Sequence, residues 1–441
     1  MVFSFHYKNI KRLSLFLLLI MIAASFLTSC AGHSTDDGSH AGPPAQEDTH
    51  EEETAPAEDD VFPSDEDLSP IDGEGGDISP PGEDISPAEA VLSRMSLEEK
   101  IGQLFIIRPE QADRSFSPED AHHADEGLLY VSESLKETVA DYPPGGYSLF
   151  AKNIGRPSQL KEFIQQLKDT CEVLPFIATD EEGGNVARLA NSTAKGFDLE
   201  TYGTAAGIGS TGDPSTAERA GRGIGSYLKE YGINVDFAPV ADVNTNPDNI
   251  VIGNRAFGSD PQLVADMVCA FTNGLHFSGV LSCTKHFPGH GDTTADSHTG
   301  AVYVYKDWAE LKNIELIPFE ASLDKTDMVM IAHINLPNVT SDGLPASLSG
   351  ELVSGKLRGE LGFDGLIITD SLAMEAINTY YGSAEAAVMA VEAGADIILM
   401  PYDYIAAFEG VLDAVRSGRI SEDRIDQSVL RILKAKEKIT D

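Results

Sequence analysis

The stretch "GLIITDSLAMEAI", residues 365–377, runs from a short unbroken apolar segment through one aspartate into a helical pattern. A brief, β-branched segment bounded by turn residues reads as a strand buried on both faces, not as one that alternates polar and apolar positions. Such strands belong to parallel sheets that helices cover. Seven further runs of the same kind occur: "LFIIR" (104–108), "GGYSLFA" (145–151), "PFIATD" (175–180), "NVDFAPVAD" (234–242), "VLSCTKH" (280–286), "MVMIAHI" (328–334) and "ADIILMP" (395–401). Helical patterns lie between them, among them "PSQLKEFIQQLKDT" (157–170), "AERAGRGIGSYLKEYG" (217–232), "PQLVADMVCAFTNGLHFSG" (261–279), "WAELKNIELIPFEASL" (308–323) and "SAEAAVMAVEAG" (383–394). Eight apolar strands alternating with helices predict an α/β fold, a (β/α)8 TIM barrel.

Polar residues stand at the C-terminal ends of these strands: Asp180, Asp242, Lys285 with His286, His333 and Asp370. In a barrel all those ends open onto one face, where active sites are built. A doubly wound sheet would gather some of them but would not use eight strands so evenly. Ahead of the first strand, "SLEEKIGQLF" (96–105) predicts a helix with Ser96 as N-cap and Glu99 as its capping-box partner. After the last strand comes the helix "EDRIDQSVLRILKAKEKI" (422–439), and residues 89–441 are expected to form a single catalytic domain.

The N-terminal residues have a different character. Residues 1–30 carry Lys8, Lys11 and Arg12, the apolar run "LSLFLLLIMIAASFL" and then "LTSC", the pattern of an export signal ending in a lipobox at Cys30. Residues 31–88 are rich in Asp, Glu, Gly, Pro and Ser, with no Lys or Arg before Pro87, and predict a disordered acidic tether. As a flexible coil it would reach roughly 40–50 Å. The expected location is therefore extracytoplasmic, lipid-anchored to a membrane. The net charge of −40 argues against nucleic acid, since phosphate contacts need clusters of Lys and Arg. The remaining cysteines, Cys171, Cys269 and Cys283, lack the paired spacing of a disulfide framework.

Several constellations carry chemistry. Asp370 is either an N-cap of the helix after its strand or a carboxylate placed to attack an electrophilic carbon. In "ATDEEGGNVARLA" (178–190), Gly183 and Gly184 permit a tight turn, and Arg188 can fold back toward Asp180. Asp180, Glu181 and Glu182 with that arginine form a set suited to sugar hydroxyls, the alternative being a charged surface turn. Arg255, in "GNRAFGSD", is by itself a loop arginine of the usual solvated kind, and Asp242 and His333 suit structural hydrogen bonding as well as ligand contact. The loop "KHFPGHGDTTADSH" (285–298) holds three histidines and two aspartates. Pro288 and Gly289 forbid the helix that His286 and His290 would need as a metal pair, so no metal is expected. Asp296 and His298 instead suit proton transfer, an imidazole near pKa ~6.5 oriented by a carboxylate.

Seven ordered motifs, "SLEEKIGQLF", "TDEEGGNVARL", "VDFAPVADVN", "NRAFG", "KHFPGHGDTTADSH", "PASLS" and "GFDGLIITDSLAM", resemble glycoside hydrolase family 3, and within it the β-N-acetylglucosaminidase (β-N-acetylhexosaminidase) branch. The resemblance runs from residue 91 to the end and implies a TIM barrel that needs no cofactor. It makes Asp370 the nucleophile of a covalent glycosyl-enzyme and His298, paired with Asp296, the acid/base. It gives sugar-binding roles to Asp180, Arg188, Arg255, Lys285 and His286. One departure is Asn185, where the family more often has Arg.

The resulting expectation is a monomeric, retaining exo-β-N-acetylglucosaminidase acting on terminal N-acetylhexosamine of peptidoglycan fragments or chitooligosaccharides. A neutral histidine repels an anionic acceptor less than a glutamate does, so a β-N-acetylglucosaminide phosphorylase is an alternative on the same scaffold, as is a β-glucosidase. A sugar-binding transport lipoprotein shares the signal and tether but has no use for a strand-end nucleophile, and a metal-dependent barrel hydrolase would lose activity to a chelator.

Overall fold

The structure, a computed structural model, describes residues 85–293 and 300–439. Cys30 with the expected signal, nearly all of the expected tether, and Asp296 and His298 lie outside the described residues. The eight strands are present: β1 (Phe105–Ile107), β2 (Gly146–Ser148), β3 (Phe176–Thr179), β4 (Val235–Asp236), β5 (Leu281–Phe287), β6 (Met328–Ile331), β7 (Leu366–Thr369) and β8 (Ile398–Leu399). Each pairs in parallel with the next in chain order up to β7. β8 returns to β1, and a parallel bridge between Ile368 and Ile397 joins β7 to the residue before β8. The sheet thus closes into the expected barrel. Every strand residue is buried, consistent with the unbroken apolar runs that identify them.

Most strands are shorter than their runs, β4 most of all. β4 covers two residues of "NVDFAPVAD" because Pro239 has no N–H to give to a ladder. Backbone bonds still carry the chain along β5: Cys283 N donates to Ala238 O at 2.9 Å, Lys285 N to Pro239 O at 3.1 Å and Ala241 N to Lys285 O at 2.6 Å. That path delivers Asp242 to the barrel mouth.

The helices cover the outside. Leu97–Gln103 starts with the expected capping box between Ser96 and Glu99. Pro157–Lys168, Pro214–Tyr231, Pro261–Phe277, Ser383–Ala393 and Glu422–Lys436 form where the apolar spacing places them. The run at 308–323 instead splits into Trp308–Asn313 and Ile317–Ser322, because Pro318 fits only the first turn of a helix. Pro214–Tyr231 and Pro261–Phe277 approach closely: a Cβ on Gly221 would lie 2.3 Å from Phe271 O, and one on Gly274 2.3 Å from Glu218 O.

At the N-terminal end of the barrel Asp396, fully buried just before β8, gathers four donors. Arg358 Nη2 lies 2.6 Å from its carboxylate, Ser428 Oγ 2.6 Å, Ile367 N 3.0 Å and Arg431 Nη1 3.2 Å. This carboxylate ties β7 to two outer helices, Glu351–Glu360 and Glu422–Lys436. Asp396→Ala strands two arginines without their buried counter-charge and is expected to cost about 3–5 kcal/mol of stability. Urea unfolding measures it, and a loss below about 1 kcal/mol contradicts the role given to this residue.

Candidate active site

The C-terminal strand ends surround a cavity of about 310 Å³. That lies near the floor of the usual range for small-molecule sites, roughly 300–1,000 Å³, and suits one ring better than a chain of them. Asp180, Arg188, Arg255, Lys285, His286 and Asp370 all line it, so six residues spread over nearly 200 positions converge.

Lys285 is the centre of the arrangement. β5 carries it inward until the side chain is 2% exposed, with Nζ 2.8 Å from Asp180 Oδ1 and 2.7 Å from Glu182 Oε1. Arg188 Nη2 reaches the other oxygen of Asp180 at 3.2 Å, as the spacing predicts. Arg255 forks onto Glu182, with Nε to Oε2 at 2.8 Å and Nη2 to Oε1 at 2.7 Å. It is therefore not a solvated loop arginine. Burial alone would raise both carboxyls, but Lys285 with Arg188 holds Asp180 well below the usual carboxylate range, and Lys285 with Arg255 lowers Glu182. The same carboxylates raise Lys285 against the downward pull of burial. The clamp is a fixed array of ions throughout the neutral pH range.

Glu181 does not belong to this set, contrary to its grouping with Asp180 and Glu182 in the sequence. Side chains alternate faces along the short strand Glu181–Gly183, so Glu181 points away from the cavity. Its oxygens accept from Leu189 N at 2.9 Å, Ala190 N at 2.8 Å and Tyr227 Oη at 2.8 Å. It locks the hairpin whose turn uses Gly183 and Gly184 at φ +88° and +57°. Asn185 is exposed at that turn.

His286 is held by the fully buried Asp242, with Nδ1 2.8 Å from Oδ2. The second oxygen of Asp242 accepts from His290 N at 2.6 Å, so one carboxylate fixes both the imidazole and the turn after it. Burial would raise Asp242, but His286 keeps it low. His290 also reaches the cavity wall. Its Nδ1 lies 2.8 Å from Thr293 Oγ1, and burial pushes its pKa down. Asp292 is structural, accepting from Thr245 Oγ1 at 2.8 Å and pairing with Lys306 at 3.1 Å. His333 is structural too: Nδ1 meets Ser347 Oγ at 2.7 Å and Nε2 meets Ser371 O at 2.9 Å, bracing the backbone beside Asp370.

Asp370 faces the cavity directly after β7. Its Oδ1 accepts from Ser371 N at 2.7 Å, and no helix begins until Glu375, so it is not a helix N-cap. Among the described residues no group of three or more His, Cys, Asp or Glu is placed to hold a metal ion. The sequence reading missed Arg108, at the end of β1, and Phe150, just past the end of β2. Arg108 lies 4.0 Å above the Phe150 ring and donates to His122 O at 2.8 Å, and burial pushes its pKa down to about 10. The strand-end rule that found Lys285 applies equally to the Arg of "LFIIR". In all, the cavity offers on one side donors and acceptors for hydroxyls in which each carboxylate is held by two cations, and a further carboxylate on another side.

Residues 96–435 match the glycosyl hydrolase family 3 N-terminal domain. Beta-hexosaminidase A of Pseudoalteromonas piscicida is 35% identical over 342 residues, covering 71% of this chain and 56% of that protein. Beta-hexosaminidase LpqI of Mycobacterium tuberculosis is 36% identical over 275 residues, covering 58% of this chain and 66% of that one. The solved structure of a glycoside hydrolase family 3 β-N-acetylglucosaminidase from Paenibacillus sp. str. FPU-7 superposes with a TM-score of 0.71 at 39% identity, covering 78% of this chain and 62% of that one. The matches span less than two thirds of each of these relatives. With the barrel, the strand-end cavity and a domain match over most of its length, the chain belongs to glycosyl hydrolase family 3.

Proposed function

We propose that this protein is a retaining exo-β-N-acetylglucosaminidase that removes terminal β-linked N-acetylhexosamine from glycans such as peptidoglycan fragments or chitooligosaccharides. The observation that carries the reading is the Asp370 carboxylate, uncommitted to a helix cap, in a one-ring cavity walled by the Lys285 clamp. The names of the relatives, hexosaminidases and an N-acetylglucosaminidase, support the substrate class. Asp180, Arg188, Arg255, Lys285 and His286 hold the hydroxyls of the terminal sugar and present its anomeric carbon to Asp370.

Asp370 attacks that carbon as the glycosidic bond breaks, and His298, oriented by Asp296, gives its proton to the departing oxygen. The same imidazole then takes a proton from water, which releases the sugar with its original anomeric configuration and frees Asp370. The sequence pattern ending at Cys30 and the acidic composition of residues 31–88 support an extracytoplasmic, lipid-anchored location as part of this proposal.

Three tests follow. Purified protein is expected to release chromophore from an aryl β-N-acetylglucosaminide, and Asp370→Ala to lower kcat by at least about 10³-fold with the fold intact. No release by the wild type, or undiminished release by the variant, sinks the assignment. Analysis of the product with and without phosphate distinguishes free sugar from sugar 1-phosphate. For the acid/base, His298→Ala is expected to cost about 10²–10⁴-fold on a poor leaving group and far less on an activated one. An equal loss on both removes His298 from proton transfer.

A further test concerns the clamp. Lys285→Met leaves Asp180 and Glu182 as neighbouring buried charges and is expected to raise KM at least about 100-fold and to cost about 3–5 kcal/mol of stability near neutral pH. Because both carboxyls have depressed pKa values when folded, the stability they draw from Lys285 is present above about pH 4 and is lost as pH falls below it. The gap between wild type and variant therefore narrows on acidification. A gap that is constant between pH 7 and pH 3 contradicts the ionised clamp.

A further inference from the structure

We propose that Tyr303 and Tyr305 form a stacking ledge for the sugar rings on the leaving-group side of the cleaved bond, a binding site for uncharged β-linked oligosaccharide outside the cavity. The proposal rests on the reading of the cavity as the terminal-sugar site. In "AVYVYKDW", residues 301–308, the alternation is strict: Val302 and Val304 are 1% and 5% exposed, Tyr303 and Tyr305 54% and 68%. A lone exposed tyrosine needs no explanation, but these two are matched. Their ring planes lie within 16° of each other with centroids 6.3 Å apart, and neither hydroxyl has a hydrogen-bond partner among the described residues.

The backbone beneath them is fixed. Val302 and Tyr303 pair in parallel with Ile334 and Asn335, Val304 N donates to Asn335 O at 2.9 Å, and the Asn338 amide donates to Tyr305 O. The next residue, Lys306, reaches Glu315 Oε1 at 2.5 Å and Asp292 Oδ2 at 3.1 Å. Two exposed, mutually stacked rings on a backbone held by these bonds are a preorganised surface, which lowers the ordering cost of binding. Tyrosine offers both an apolar ring for the C–H face of a pyranose and a hydroxyl for its polar edge.

The location selects the ligand. Ile334 lies three residues past the end of β6, at the same mouth of the barrel as the cavity. A cavity of about 310 Å³ holds one ring, so the rest of an oligosaccharide lies outside it. Tyr303 is held opposite Asn335 at that mouth, so rings that leave the cavity there pass within reach of the ledge. The net charge of −40 disfavours polyanions and leaves a neutral glycan as the fitting occupant.

The test compares wild type with the double variant Tyr303→Ala, Tyr305→Ala on an aryl β-N-acetylglucosaminide and on β-1,4-linked N-acetylglucosamine oligomers of increasing length. The aryl substrate should be cleaved within about twofold of wild type. Wild-type kcat/KM should rise with chain length, while the variant stays flat and falls roughly tenfold below wild type on the longest oligomers, through KM. A variant that tracks the wild type along the series, or loses the aryl substrate and the oligomers equally, overturns the ledge. So does a wild-type dimer that the substitutions dissociate, because a second copy then covers the rings. If the wild type cleaves none of these substrates, the active-site reading fails. The ledge is then judged by calorimetric titration with the oligomer, where loss of binding in the variant supports it and unchanged or absent binding overturns it.

Discussion

A lysine ammonium buried to 2% exposure is tolerable only with its counter-charges in place, and at Lys285 that requirement draws three parts of the chain together. Asp180 comes from the end of β3, Glu182 from the hairpin after it, and Arg255 from the loop beyond β4. Each of these groups is costly when buried alone, so none of the segments can drift without exposing an unpaired charge to a medium of low polarity. The result is a mouth whose loops are tied to one another where they line the cavity, although loops are ordinarily the mobile part of such a fold.

The opposite end of the barrel shows what the same side chain does without carboxylates. Lys436 is also buried, but its Nζ donates to neutral groups, Gln103 Oε1 at 2.7 Å and Gly145 O at 2.8 Å. Burial outweighs the opposing influence of Cys171 there and pushes its pKa down to about 7, whereas Lys285 is raised. One lysine closes the floor with hydrogen bonds and the other organises the mouth with charge. The difference lies in the partners, not in depth.

The barrel was legible because strands buried on both faces leave unbroken apolar runs, and each of the eight runs became a strand. What the runs could not convey was the effect of single residues within them: Pro239 cuts β4 short and Pro318 divides a helix. The helix Tyr404–Arg416 did carry a signal, an Asp403 N-cap before apolar residues spaced on one face. In the site, strand-end position found Asp180, Lys285, His286 and Asp370, and would have found Arg108. It could not separate Glu181 from Glu182, since which of two adjacent acids turns inward depends on where the hairpin begins. Nor could it show that Arg255 forks onto Glu182, a contact between residues 73 positions apart.

The charge balance of the clamp bears on how the proposed reaction divides its labour. Interactions that are equal in the ground state and the transition state hold the substrate without accelerating its chemistry. The pairs around Lys285 are of that kind, because their ionisation is fixed by one another and the sugar hydroxyls they meet remain neutral throughout. Their contribution is position: a ring held on one side presents its anomeric carbon to the other. The charge that develops during bond cleavage is positive and sits at that carbon. It finds its complement in Asp370, whose backbone neighbour Ser371 is braced by His333. Clamp carboxylates left without cations would compete with Asp370 for the developing positive charge. Each clamp carboxylate is instead held by two cations, Asp180 by Lys285 and Arg188 and Glu182 by Lys285 and Arg255, which leaves Asp370 as the carboxylate that the reacting carbon meets.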